Sequence, residues 1–392
     1  MSSPLRVTID GACWWNDRGF GRFTRELVRE LVRKADGSDL TLTLLLEEHP
    51  SSVDPDHALP DIRTTTVGVS GVGDAVADGG ARSPLHMARM GAAFARTEAD
   101  VLFFPAVYSW VPVPARTPQV ITLHDAIAHT HPDLVFPTRR NRFFWDLKTF
   151  AARRQATRIL TVSAAAADAI QAELGIPQDR IDVTNEAAAP VFRPVTVDGF
   201  ALRARLGIPT DGPLLLHVGG FTPHKNLLRL LDAFAVLQVP AILALVGDTR
   251  GDGFHDNLDA IRGWLQTHPR VAERVALPGR VNDDDLVGLY STATALVFPS
   301  LAEGFGLPAA EAMACGCPVL GSDRTSLPEV IGEAGLLFDP LVPASITAAM
   351  RRVLADSALR AELGRRALAR SAELTWARSA DRVIASLRRA VG

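Results

Sequence analysis

The sequence predicts an α/β protein made of two Rossmann-like, doubly wound parallel-sheet domains facing across a cleft. Three observations predict it. The 392 residues exceed what one hydrophobic core ordinarily serves and suit two domains of roughly 150–200 residues each. Short apolar runs alternate with stretches of helical spacing, the pattern of repeated β-α-β units. That alternation stops at Pro190-Val-Phe-Arg-Pro194 and restarts at Leu214.

Leu5 to Ile9 alternates apolar and polar residues as a first strand. A polar loop, Asp10 to Gly21, precedes a helix whose apolar residues recur at helical spacing from Phe23. Leu40 to Leu46 is the second strand, and residues 49–83, rich in Asp, Pro, Ser and Gly, read as partly loop. Val101 to Phe104, Val120 to Leu123 and Arg158 to Val162 are short buried strands, the last after a helix over 137–156. In the second half, Leu214 to Val218 is a strand, Asn226 to Leu237 a helix and Ala241 to Val246 a strand. Val275 to Leu277, Ala295 to Phe298 and Pro318 to Gly321 continue the sheet, and two helices over 343–370 and 376–390 end the chain. The expected domains are 1–195 and 196–375, linked between Pro194 and Pro213, with 376–392 a C-terminal helix packing back on the first.

Composition narrows the function classes. Hydrophobic residues make up 47% and charged residues 22%, normal for a globular enzyme. A net charge of −3, from 41 basic and 44 acidic residues, gives no global field that would recruit nucleic acid or anionic lipid. The three cysteines, Cys13, Cys315 and Cys317, make no disulfide framework and fit a reducing cytoplasm. Cys315-Gly316-Cys317 lacks the second ligand pair of a zinc site and reads as small residues packing where a helix turns into a strand. No signal peptide and no membrane-spanning apolar run is evident, so a cytoplasmic protein is expected. Lysine occurs only at 34, 148 and 225, which makes each one informative.

The richest stretch runs from Phe298 to Val319. A buried strand ends at Phe298, a Gly-rich turn follows, and Pro308 falls in the first turn of a helix. The N–H groups of Phe305, Gly306 and Leu307 would then form an anion site, with Gly304 and Gly306 allowing a ligand close to the backbone. Ordinary capping would account for Glu311 alone, but not for Glu303 and two glycines at the head of the turn. Glu303, seven intervening residues and Glu311 resemble the E-x7-E motif of glycosyltransferase family 4. Leu286 to Tyr290, Phe298-Pro-Ser300, Glu311 to Ala314, Pro318-Val319 and Ser326 to Val330 are similar to that family as well. The resemblance implies a GT-B fold, a metal-independent reaction and retention at the anomeric carbon. It implies that Glu303 contacts donor-sugar hydroxyls, that Glu311 holds the ribose, and that the backbone at Phe305 to Leu307 serves sugar and diphosphate.

His217-Val-Gly219-Gly220-Phe-Thr-Pro-His224-Lys225-Asn226 is a strand, a glycine loop and a helix start. A diphosphate leaving group in a metal-free site needs side-chain and helix-end charge, and Lys225 is the obvious cation, with Asn226 as helix cap. Family members often carry Arg where this chain has His224. Gly19-Phe-Gly21-Arg22, beside Trp14 and Trp15, resembles the N-terminal loop that approaches diphosphate and acceptor, although a tight turn and local packing also explain it. His124-Asp125, at the end of a strand, matches a histidine that touches donor sugar or reaction centre in similar enzymes; Tyr108 is placed with the acceptor. Gly247, Arg280 and Val281 end strands near which the family places the nucleobase. In Arg139 to Arg154, Phe143, Phe144, Leu147, Phe150 and Ala151 share a helical face among basic residues. A membrane-surface helix is one reading; a helix packing that face on its sheet is preferred, because a doubly wound sheet needs a helix there.

The expected activity is transfer of a hexose from a UDP- or GDP-sugar to a hydroxyl of a small hydrophilic or glycan acceptor, in antibiotic or cell-envelope glycan synthesis, without cofactor or metal. The alternatives are a sugar-nucleotide epimerase of similar fold and a silent nucleotide-sugar binder. The missing third glycine after Gly19-Phe-Gly21 argues against a dehydrogenase.

Overall fold

The computed structural model describes residues 4–47, 57–68, 83–249 and 257–392. It divides into two compact bodies, one of residues 1–130, 138–186 and 376–392, the other of 131–137 and 187–375. The boundary thus falls at Glu186/Ala187 rather than at 195/196. The segment expected as a linker belongs to the second body and contains a helix, Gly199–Arg205, started by Asp198, whose carboxylate accepts from Phe200 N (3.0 Å) and Ala201 N (3.1 Å).

The first body holds strands β1 (Leu5–Asp10), β2 (Leu40–Glu47), β3 (Arg63–Val67), β4 (Val101–Phe104), β5 (Gln119–Thr122), β6 (Arg158–Thr161) and β7 (Ile181–Val183). All pair in parallel, in the order β3-β2-β1-β4-β5-β6-β7, with Val7 opposite both Leu42 and Val101. The sequence missed β3 and β7, and of the stretch 49–83 only 57–68 and 83 lie within the described residues. The second body holds β8 (Leu214–Val218), β9 (Ile242–Val246), β10 (Val275–Gly279), β11 (Ala295–Phe298), β12 (Val319–Ser322) and β13 (Gly335–Phe338). These also pair in parallel, in the order β10-β9-β8-β11-β12-β13. In both sheets the order reverses beside the first strand, at β1/β4 and at β8/β11, and such a switch point opens a crevice at the strands' carboxyl ends.

Central strands such as β4, β9 and β11 read as unbroken apolar runs because helices cover both faces. Ile242 to Val246 are all buried. Leu230, Leu231 and Phe234 from helix Leu227–Ala235 and Ile346, Met350 and Val353 from helix Pro343–Ala355 pack into the same core. In the first body Phe104, Ile121 and Ile159 pack with Met90, Phe94 and Trp110. The C-terminal helix Trp376–Val391 buries Ala380, Val383 and Leu387 in that body. It is pinned where Thr184 Oγ1 donates to Ser379 O (3.1 Å) and Ser386 Oγ to Asp182 Oδ2 (2.6 Å). The single helix expected over 343–370 is two, Pro343–Ala355 and Ser357–Ser371, broken at Asp356, whose carboxylate caps the second by accepting from Leu359 N (2.9 Å).

Candidate active site

The switch point of the second sheet brings together the loops after β8 and β11. Gly219 starts the first loop at φ +152, its N–H donating to Val246 O (3.0 Å). Gly247 makes this possible, since a Cβ there would lie 2.0 Å from Gly219 O. Gly220 has open space around its missing side chain. Pro223–Lys225 then form one 3₁₀ turn, and Asn226 follows at φ 60. The expected side-chain cap by Asn226 is absent: its amide donates instead to Pro299 O (3.1 Å) and Pro340 O (2.8 Å), tying the two loops together. Leu301 N donates to His224 O (2.8 Å) and completes the tie.

Across this junction Lys225 Nζ donates to Glu303 Oε1 at 2.6 Å, with side chains only 14% and 10% exposed. The ammonium also lies 5.3 Å from the centre of the Phe298 ring. Burial pushes the Glu303 carboxyl up, but the charge of Lys225, a smaller contribution from His224 and hydrogen bonds from Lys225 and Ser300 together outweigh burial, so the group stays below its ordinary value. Lys225 is therefore not a surface lysine; it is a half-sequestered cation held by a carboxylate. His224 is pushed down to about 4, first by burial and then by Lys225, so at neutral pH it carries no charge. Behind them His217, fully buried, gives its Nδ1 hydrogen to Val297 O (3.1 Å) and is also pushed down to about 4 by burial.

The turn carrying Glu303 is fixed by residues the sequence reading passed over. Glu303 N donates to Thr325 Oγ1 (3.0 Å), and Ser326 Oγ donates to Glu303 O (3.1 Å) and Phe305 O (2.9 Å). Their only sequence signal was Ser326 in a family-like string. Gly304 lies in this turn, and Gly306 caps helix Leu307–Ala314 at φ +99. A Cβ at Gly306 would sit 2.6 Å from Leu327 Cδ2, so both backbone and space require glycine. Glu311, second turn of this helix, is buried and accepts a long hydrogen bond from the Tyr290 hydroxyl (3.4 Å). Cys315 caps the same helix and Cys317 precedes β12; both are buried free thiols pushed up to about 12 by burial. Arg280 and Val281 follow Gly279, whose carbonyl accepts from Gly247 N (3.1 Å), so these nucleobase candidates stand at adjoining strand ends.

The first body's candidates gather after β1, β4 and β5. The expected loop Gly19 to Arg22 is already helix, Gly19–Ala35, because Gly21 lets the preceding loop close on it: a Cβ there would lie 1.9 Å from Asn16 O. Gly19 meets no such contact. Buried Arg25, unflagged in sequence, donates to Trp14 O and Asn16 O (both 2.7 Å) and braces that loop; burial pushes it down to about 10. Trp14 packs locally: it is fully buried, with its indole N–H donating to His57 O (2.7 Å). His124 is bound at both nitrogens, Nδ1 to Glu186 Oε1 (3.3 Å) and Nε2 to Pro105 O (3.1 Å), and Phe23 meets it edge-on at 4.7 Å. Since a carbonyl only accepts, Nε2 is the donor to Pro105 O. Glu186 had no motif to mark it. Asp125 accepts from Ile127 N (2.8 Å), starting a short helix. The Tyr108 ring stacks on Phe20 (4.9 Å) and meets Trp145 at 5.0 Å; burial pushes its phenol up, so it stays neutral.

Helix Arg139–Gln155 does not pack its apolar face on the sheet. Phe143, Phe144, Leu147 and Phe150 are 63%, 48%, 54% and 44% exposed, and only Thr149 and Ala152 are buried. Trp145 and Lys148 occupy the inward side, Lys148 Nζ donating to Tyr108 O, so the Phe-rich stripe faces outward. Among the described residues no helix is long and apolar enough to cross a membrane.

Comparison with known proteins adds the family. The model of glycosyl transferases group 1 matches residues 199–370, and that of glycosyltransferase family 4 matches 18–185. The serotype-specific mannosyltransferase WbdA of Escherichia coli is 31% identical over 281 residues, 69% of this chain and 33% of that protein. The chain thus spans about a third of the length of the first such relatives. The E. coli O-antigen chain mannosyltransferase B is 32% identical over 66% of each chain. A sucrose-phosphate synthase from Thermosynechococcus elongatus has the same fold, with TM-score 0.75 and 21% identity over 98% of both chains. So does Anabaena HepE, solved with UDP and glucose, with TM-score 0.73 and 19% identity over 98% of this chain and all of that one.

Proposed function

We infer the function from a premise these matches establish: the chain belongs to glycosyltransferase family 4, among the group 1 glycosyl transferases. We propose that it moves a hexose from a nucleoside-diphosphate sugar to an acceptor hydroxyl in cell-envelope glycan synthesis, with retention and without a metal. One observation carries the proposal: Lys225 and Glu303 meet at 2.6 Å where the β8 and β11 loops converge, with Glu311 one helical turn beyond the Gly306 cap. An ion pair so placed suits a doubly charged ligand with hydroxyls. The diphosphate draws off the ammonium, and the freed carboxylate accepts from the sugar. The Escherichia coli relatives are mannosyltransferases and one neighbouring fold was solved with UDP-glucose, which supports a hexosyl donor.

In the proposed reaction the second body holds the donor and the first body the acceptor. The anomeric C1–O bond to the diphosphate breaks as the acceptor oxygen bonds C1 on the same face. The acceptor proton passes to the departing phosphate oxygen. Lys225 and the N–H groups at the start of helix Leu307–Ala314 balance the developing diphosphate charge. With His224 neutral, Lys225 supplies the side-chain charge of its loop alone.

The test is donor turnover in EDTA with UDP-, GDP- and dTDP-hexoses, with and without a mixed acceptor set, and with product anomers read by NMR. Nucleotide release that rises with acceptor and yields the donor's anomeric configuration supports the proposal. Epimerised sugar, full-rate release without acceptor, or an inverted product would overturn it.

A further inference from the structure

The exposed face of helix Arg139–Gln155 is the one large feature of the described residues that sugar transfer leaves unused. Four large apolar side chains stand in solvent within eight positions, at i, i+1, i+4 and i+7, which places them on one side of the helix. Among the described residues no other eight-residue stretch exposes more than three large apolar side chains. Phe143, Leu147 and Phe150 also border a groove of about 480 Å³ that runs to Leu174 on the next helix. Leaving such a stripe in water is costly unless something covers it.

Charge says what covers it. Of the helix's 17 residues, Arg139, Arg140, Arg142, Lys148, Arg153 and Arg154 are basic and only Asp146 is acidic, in a chain whose net charge is −3. The guanidinium of Arg140 lies 5.7 Å from the Phe144 ring centre, and those of Arg153 and Arg154 lie 5.1 and 5.0 Å from that of Phe150. Cations thus flank the aromatic rings, the arrangement in which rings enter an acyl boundary while arginines reach lipid phosphates. A second copy of the chain is a poor occupant, because a two-fold contact would set this basic helix against itself. We propose that helix Arg139–Gln155 is a docking face for an anionic phospholipid surface. The face touches the acceptor side of the molecule through Trp145 and Lys148, which contact Tyr108. If transfer proceeds as proposed above, the acceptor served by such a face is one displayed on a membrane, not a small free solute.

The experiment is co-sedimentation of the full chain with vesicles of 30% phosphatidylglycerol in phosphatidylcholine, against pure phosphatidylcholine, in low and high salt. The wild type is expected to partition at least tenfold more strongly onto the anionic vesicles and to be released by salt. Phe143→Ser/Leu147→Ser/Phe150→Ser and Arg139→Gln/Arg140→Gln/Arg142→Gln are each expected to lose tenfold or more. All six side chains lie outside the core, so circular dichroism and Tm are expected to stay unchanged in both. Equal partition onto the two vesicle types, or triple variants that bind like wild type, would overturn the proposal. So would self-association abolished by the serine variant, which would assign the face to a second copy. The vesicle assay contains no sugar nucleotide and the donor panel contains no lipid, so failure of one leaves the other reading standing.

Discussion

The two sheets share a strand order, yet their switch points are built differently. At β8/β11 the loops converge on opposite charges, with Lys225 against Glu303 and Glu311 nearby. At β1/β4 the polar groups are turned back into the fold: Arg25 braces the Trp14 loop, His124 bridges Glu186 and Pro105, and Asp125 starts a helix. What that body presents is half-buried aromatic surface, with Tyr108 between Phe20 and Trp145. One end holds an ion pair that a charged ligand can exchange into; the other holds a rigid platform. The contrast suits a fixed, doubly charged donor group and an acceptor recognised by shape.

The sharpest way to break this contrast is to cut the ion pair. Lys225→Ala is expected to lower nucleotide release at least a hundredfold, the scale of removing a group that stabilises a developing anion, and Glu303→Ala to lower it through the lost sugar contact. Each should also cost stability, on the order of 3 kcal/mol, because it strands a largely buried charge. The double variant should be more stable than the sum of the two losses. Urea unfolding of all four proteins checks it, and additive losses would show that the pair is not coupled. Glu186→Gln, in the other body, should leave donor affinity within about threefold, since it alters a bond internal to that body.

Next in size is a pair of glycine substitutions, one at each switch point. Gly21→Ala puts a Cβ 1.9 Å from the Asn16 carbonyl, where only backbone movement relieves the clash. Gly306→Ala forces alanine to φ +99 and against Leu327 Cδ2 at 2.6 Å. Each should destabilise by about 1–3 kcal/mol. They differ in function: Gly306→Ala should weaken donor binding, measured by titration with the sugar nucleotide, while Gly21→Ala should spare it.

The same contrast explains what the sequence revealed. The second site was legible because its chemistry sits in short contiguous strings, Gly219 to Asn226 and Phe298 to Glu311, whose residue types are odd for a core. The partners that fix it, Thr325 and Ser326, lie more than twenty positions from Glu303, and only folding brings them to it. In the first body Glu186 is 62 positions from His124 and Arg25 looked like one more helix arginine, so neither could be read. The Phe-rich helix was misread for a related reason. Composition gives a stripe or a ring, but which way it faces depends on how the segment docks.

The smallest expected effect separates the bodies by pH. His217 and His224 sit at about 4 in the folded second body, lowered by burial, against about 6.5 when unfolded. The unfolded chain therefore binds more protons between these values, so stability is full above pH 6.5 and falls as the pH drops toward 4. By pH 5.5 each histidine should have cost about 1 kcal/mol. Glu303, held below its ordinary value, adds loss of the same sign at lower pH. His129 in the first body is also lowered by burial, so the slope alone does not assign the effect. His217→Asn keeps a donor for the Val297 carbonyl and removes one titration. Its unfolding free energy should fall by about 1 kcal/mol less than wild type between pH 7 and 5.5. An unchanged slope would show that His217 contributes nothing to the acid lability.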